Sequence, residues 1–424
     1  MRIIRRTALV LLTVGWSFLL LELAVRAYFA IRVGSDVLLW GTQWHREAAQ
    51  QRYMRGQNVF EHENYQAGYS KYFPNQNRTD VDSNGVPFSV TINGKGFRGT
   101  DYEIEKPSST LRVLALGASS TFGFGNRDNE TYPFILQELL TERLNRTPCR
   151  GNTHAEVINL GIPHLNSMQI SELFAAEGLA YLPDAVTVYS GYNNTLGLGQ
   201  GQTLKAWSRT WLVINFIRVA RQQSSRITEN LLRSESETRT RAFLAGLESI
   251  LTIARKQDIA VLPITQQVRA LPAEAILQHQ LAYDDEMDAL EQKLKSDGDL
   301  STIEGKVLIH QSLTQSLRRW AKNNNLELVD GIDLLDQHRY LLTSYVHLAP
   351  LANHLMALAI ADGLAAQLGC PQLETIVPEH GEEGAMQQEG TDKLTWRHGL
   401  SLHNSVFGSG NRTPSSQFWP IYWF

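Results

Sequence analysis

The stretch LRVLALGASSTFGFG, residues 111–125, decides the fold. Its first seven residues are a continuous apolar run ending in glycine, the pattern of a strand buried on both faces. A Ser/Thr/Gly loop follows, and YPFILQELLTERLN (132–145) then carries apolar residues at helical spacing. Strand, loop and helix make one α/β unit. The same order recurs downstream. AEVINLG (155–161) precedes the helical MQISELFAAEGLAYL (168–182), and DAVTVYSG (184–191) is a third strand-like run. RAFLAGLESILTIARK (241–256) leads into DIAVLPITQQV (258–268), and SLTQSLRRWAKN (312–323) leads into LELVDGI (326–332). Five buried strands alternating with helices predict a three-layer α/β/α sandwich around a mainly five-stranded parallel sheet.

Working outward, residues 203–233 and 269–310 read as helical insertions that flank the sheet, and LANHLMALAIADGLAAQLG (351–369) as a last helix stopped by Gly369. Residues 34–108 are polar and aromatic, with Asn93-Gly94 in SVTINGKGFRG as a hairpin signal. From 372 to 424 the chain is polar and patternless and reads as a disordered tail. Its end, FWPIYWF (418–424), is taken as an irregular apolar terminus in preference to a docking patch.

At the other end, TALVLLTVGWSFLLL (7–21) carries no charge, and after Glu22 apolar residues resume as far as Ile31. That length suits a membrane-spanning helix. Glu22 and Arg26 interrupt it at a spacing of four with the acid first, so they can pair. Arg2, Arg5 and Arg6 precede the run, which orients the amino terminus to the cytoplasm and exports the rest. The expected layout is a cytoplasmic start at 1–6, a transmembrane signal anchor at 7–25, a juxtamembrane lead-in at 26–108 and the α/β domain at 109–371. A cleaved signal peptide is the rival reading, with Val25-Arg26-Ala27 as a poor cleavage site because Arg26 sits beside the cut.

Across 424 residues, 39 basic and 43 acidic side chains leave a net charge of -4. No broad basic field exists for nucleic acid to bind. Cys149 and Cys370 have no neighbouring ligands at metal spacing, so no zinc or iron-sulfur site is expected; they form one disulfide or none.

In open parallel sheets, ligands sit beyond the carboxyl ends of the strands. GASSTFGFG (117–125), NLGIP (159–163) and SGYNN (190–194) follow the first three strands, and SYVHLAP (344–350) follows the fifth. A serine on a tight loop at a helix start has an exposed hydroxyl with backbone N–H groups beside it. Glycine and asparagine after neighbouring strands add donors for an oxyanion, and a histidine at the same edge can take the serine proton. Phosphate-binding and dinucleotide fingerprints are absent, and so is the GxSxG elbow.

Over about 109–371 these blocks resemble the SGNH hydrolase superfamily, the GDSL-type esterases. GASSTFGFG is similar to the family's G-D-S-x-T-x-G-x-G block, with Ala118 in place of Asp, and implies Ser119 as nucleophile. NLGIP resembles the second block and implies Gly161 as an oxyanion-hole amide. SGYNN resembles G-x-N-D and implies Asn193 as a side-chain donor, and SYVHLAPLANHLMA implies His347 as base. NGKGFRGTDYE (93–103) resembles the lead-in N-x-x-G-F-R-G-x-E of membrane-anchored members. Ser344 stands where the family has its triad Asp. Three readings follow: a Ser119–His347 dyad oriented by Ser344 or a backbone carbonyl, an acid supplied by Asp333 or Asp336, or lost activity. His354 is read as a structural residue of the last helix.

The resemblance implies an exported, membrane-anchored serine esterase acting on an acyl ester, with an O-acetyl group on an extracellular glycan as the expected substrate and neither organic cofactor nor metal. The alternatives are an O-acyltransferase on a polysaccharide and a catalytically silent glycan-binding or assembly protein.

Overall fold

The computed structural model describes residues 2–33, 60–64, 69–72, 74–82, 86–198 and 226–370. Residues 203–225 of the first insertion and the tail from 372, with its aromatic end, lie outside the described residues.

Helix α1 (Arg2–Val33) is continuous and runs beyond both ends of the expected 7–25 span. Its segment Leu9–Ala27 has a mean hydropathy of 1.8 with little of it covered by protein, so it is long and apolar enough to cross a membrane. Arg26 Nε donates to Glu22 Oε1 at 2.8 Å, the pairing that their spacing implies.

Beyond it, β1 (Phe60–Asn64) pairs antiparallel with β2 (Tyr69–Tyr72), and β3 (Gln76–Val81) with β4 (Pro87–Ile92). Asn93-Gly94 is not a two-residue turn. The loop runs from Asn93 to Phe97, whose carbonyl accepts from Asn93 N at 2.8 Å, and the left-handed residue is Gly96, at φ +82°. The Asn93 side chain fixes it by accepting from Lys95 N and Phe97 N, an arrangement that a two-residue signal does not encode.

The main sheet contains β5 (Thr110–Gly117), β6 (His154–Gly161), β7 (Ala185–Tyr189) and β9 (Ala260–Ile264), all parallel in the order β6-β5-β7-β9. Between the last two in sequence, β8 (Arg226–Thr228) pairs antiparallel with β10 (Asp299–Ser301). Every residue of β5 is buried, and alternate residues serve opposite layers. Leu114 and Leu116 join the core under helices 167–176, 229–256 and 302–323, whereas Val113 and Ala115 join the one under helices 132–146 and 350–367. The three-layer α/β/α architecture expected of the SGNH-type blocks is the one observed.

The sheet has four strands where five were expected. From 326–332 only Val329 pairs, donating to Pro263 O at 3.1 Å and accepting from Thr265 N at 3.0 Å. The preceding helix claims Leu326 N, and Asp330 accepts from Ile332 N and Asp333 N to start the next helix at Gly331, so one residue is left extended. The second insertion is helical at Ala273–His279 and Tyr283–Asp297, but the β8–β10 ribbon interrupts both insertions with short strands.

Cys149 and Cys370 are bonded, with Cα atoms 6.0 Å apart and a sequence separation of 221. The bridge ties the turn before β6 to the end of the 350–367 helix. Closing a loop of that length contributes about 5 kcal/mol in the chain-entropy picture, and such bonds persist in oxidising compartments.

Candidate active site

Gly117 ends β5, and Ser119–Phe122 immediately forms helix α2, a single turn. A Cβ at Gly117 would lie 1.9 Å from Thr121 Oγ1, so only glycine lets the turn fold back so tightly. The turn stops at Gly123, left-handed at φ +86°, whose N–H, like that of Phe124, donates to Ser119 O. Ser119 thereby stands half-buried at the carboxyl edge of the sheet.

His347 reaches the same point from the loop before the last helix. Its Nε2 lies 2.8 Å from Ser119 Oγ, and its Nδ1 lies 2.8 Å from Ser344 Oγ. Phe124 packs on the imidazole with ring centroids 5.0 Å apart. Burial first, and the nearby His164 imidazole second, push His347 down to about 4, so the ring is neutral at pH 7.

Ser344 does more than occupy the acid's place. Its oxygen also accepts from Val346 N at 3.3 Å and His347 N at 3.2 Å. A hydroxyl has two acceptor sites and one proton. With both acceptor sites facing backbone N–H groups, this arrangement suits the tautomer in which the hydroxyl donates to His347 Nδ1 and the ring carries its proton on Nε2. A carboxylate would accept there instead and fix the proton on Nδ1, leaving Nε2 free as base. Neither substitute acid reaches the ring. Asp336 accepts from Tyr283 N at 2.7 Å, and Asp333 pairs with Arg318 at 3.2 Å. His354 lies within the 350–367 helix.

Gly161 and Asn193 stand at the neighbouring strand ends, but Gly161 does not offer its amide to the cleft. Gly161 N donates to Asn159 Oδ1 at 2.9 Å, while Asn159 Nδ2 donates to Thr121 O at 3.0 Å. A Cβ at Gly161 would lie 2.2 Å from Phe122 N, so the glycine makes room for α2 against β6. Asn193 is half-buried and uses one side-chain N–H on Leu165 O, at 3.0 Å, which leaves the amide's second N–H. Three residues after Gly161 stands His164, exposed, left-handed at φ +71° and near enough to His347 to act on it by charge. Among the described residues no acceptor is found for its N–H. The sequence reading missed it, because a histidine in a conformation that favours glycine has no local signal.

Behind Ser119 a buried relay joins three of the loops. Gln266 accepts from Tyr192 N at 2.9 Å and donates to Ser120 Oγ at 3.2 Å, and Ser120 donates to Val346 O at 3.0 Å. Asn126 Nδ2 adds a bond to Leu348 O at 2.9 Å. The Ser119 loop, the Asn193 loop and the His347 loop are thereby tied to one another.

No protein-family model matches the chain, and no curated protein does. Solved structures with a similar chain path include a GDSL-like lipase from Bacteroides thetaiotaomicron, at 13% identity over 60% of this chain and 88% of that one, with a TM-score of 0.35. An acetyl xylan esterase is similar at 16% identity over 59% of this chain and 98% of its own, with a TM-score of 0.36. An acetylxylan esterase from Geobacillus stearothermophilus, in a catalytic mutant, shows 12% identity over 62% and 97%, again with a TM-score of 0.36. Likeness at these levels carries no weight for reaction or substrate. Those rest on the residues of the site.

Proposed function

We propose that the chain is a serine esterase that hydrolyses an acyl ester through Ser119 and His347. The observation that carries this is the contact of 2.8 Å between His347 Nε2 and Ser119 Oγ, on a loop at the sheet's carboxyl edge. Ser119 Oγ attacks the acyl carbonyl carbon while its proton passes to Nε2. The same proton then goes to the departing alcohol, and water, deprotonated in turn by Nε2, releases the acid and restores the serine. The oxyanion is held by the Ser119 N–H, the second Asn193 N–H and the His164 N–H, in place of the Gly161 amide. Losing one such donor typically costs about 10²–10³ in rate.

Attack requires the imidazole with its proton on Nδ1, and the Ser344 arrangement favours the other tautomer. The enzyme is accordingly slow, with Ser344 as the residue that limits it. That same arrangement favours one second reading, a catalytically silent protein on this scaffold. The finer substrate reading, an O-acetyl group on an extracellular glycan, is supported by the apolar helix α1, which suits an anchor, and by the Cys149–Cys370 bond, which suits an oxidising compartment.

The test is acetate release from an acetylated polysaccharide by the full chain in membranes, alongside Ser119→Ala. Release by the wild type and none by the variant supports the esterase. Tight glycan binding by both without release supports the silent protein. Appearance of the acetyl group on an added sugar acceptor instead of in water would convert the reading to acyl transfer.

A further inference from the structure

The juxtamembrane lead-in delivers a buried cation to the loop that carries Ser119. Arg98 follows the Asn93–Phe97 loop, and the pairing of Arg98 with Ile92 and of Gly99 N with Thr91 O aims it inward. Its side chain is 2% exposed. Nη1 donates to Phe122 O at 2.9 Å and to Gly123 O at 2.7 Å, Nη2 to Asn126 O at 2.5 Å, and Nε to Asp128 Oδ1 at 2.9 Å. The guanidinium also lies over the Phe122 ring, 5.0 Å from its centroid. Asp128 closes the arrangement by accepting from Thr91 N at 3.1 Å.

Three of these four acceptors are backbone carbonyls, at the end of α2 and in the turn that follows it. A helix of four residues has only a few bonds of its own, such as Phe122 N to Ala118 O and Gly123 N to Ser119 O, so its carboxyl end depends on partners from outside it. A positive group at a helix carboxyl end satisfies those carbonyls and opposes the local dipole. The planar fork meets several carbonyls at once, which an ammonium group does not. What Arg98 fixes is the path from Ser119 to Asn126, which includes Ser119 at one end and Phe124, the residue packed on the His347 ring, in the middle.

We propose that Arg98 is a positioning residue for the Ser119 nucleophile, so that the lead-in from at least Gln76 is part of the catalytic unit and not a tether to it. This rests on the serine-esterase reading. A displacement of about 1 Å at a reacting atom can lower a rate about a hundredfold. Arg98→Ala is therefore expected to lower kcat on a small activated acetate ester about a hundredfold with KM nearly unchanged. Arg98→Lys is expected to recover only a small part, and added guanidinium to restore activity to Arg98→Ala but not to Arg98→Lys.

The experiment uses the full chain in detergent and follows fluorophosphonate labelling and ester turnover together, with folding checked by near-ultraviolet circular dichroism. If Arg98→Ala does not fold, Asp128→Asn, which weakens one of the four guanidinium bonds, is measured instead, with a several-fold fall in kcat expected. Slower labelling in a folded variant supports the inference, and so does guanidinium rescue. Labelling of folded Arg98→Ala, or of folded Asp128→Asn where that variant decides, at the wild-type rate overturns it while leaving the esterase intact. A folded wild type that takes no label overturns the esterase reading itself.

Discussion

Ser119 and His347 touch, yet they are held in different ways. The Ser119 loop is tied to the lead-in by Arg98, to β6 by Asn159, to the helix 132–146 by Tyr132, whose hydroxyl meets Thr121 Oγ1 at 3.1 Å, and to the segment just after β9 by Gln266. The histidine loop is fixed through its backbone, with Thr343 N donating to His347 O at 2.8 Å and Arg269 N to Tyr345 O at 3.0 Å. At the imidazole itself a single hydroxyl stands where a charge is expected. Geometry is thus over-determined on one side of the pair, while electronic control is reduced on the other. The contrast teaches that a site can keep its shape and lose part of its driving force, because hydrogen bonds that place atoms are different from those that stabilise charge.

The contrast can be broken most severely at the oxyanion side. Asn193→Ala is expected to lower kcat about 10²–10³-fold if its second N–H serves the oxyanion. Steady-state kinetics on a small ester checks this, and an unchanged kcat would reduce Asn193 to its tie with Leu165. Gly161→Ala tests the placement side. The added Cβ meets the backbone of α2, so a fall of about a hundredfold in kcat and a stability loss of about 1–3 kcal/mol are expected, read by turnover and denaturant unfolding. Full activity with a normal melting curve would mean that α2 yields without consequence.

The smallest effects concern pH. Burial pushes His310 down to about 3, and His347 stands at about 4. The unfolded chain protonates both nearer the ordinary value of about 6.5. Their contribution to stability is therefore complete above that pH and is lost progressively as pH falls toward 4 and below. The acid limb of kcat/KM should accordingly lie well below that of an unperturbed imidazole. An acid limb near 6.5 would place His347 in a wetter site than the one described.

Much of this was legible in the residues. LRVLALG could be only a buried strand, and the blocks that follow the strands do converge on one edge. What escaped the sequence was tertiary. Gly161 keeps its strand-end place but spends its amide on a side chain two residues earlier, a direction that no spacing encodes. The fifth strand failed because capping by Asp330 outcompeted pairing. Arg98 sits in a polar stretch whose composition suggests a linker, and its burial depends on carbonyls some 25 residues away, such as that of Gly123. The pairing of Cys149 with Cys370 is likewise set by where two distant ends of the fold meet.

The most direct measurement compares the rate of fluorophosphonate labelling at Ser119 in the full-length wild type and in Ser344→Asp, with the adduct located by mass spectrometry. A carboxylate at 344 accepts from His347 Nδ1 and frees Nε2, so slow labelling of the wild type and labelling faster by about ten- to a hundredfold in the variant are expected. A folded wild type with no adduct on Ser119, unchanged by the carboxylate, would contradict the Ser119–His347 assignment at its root.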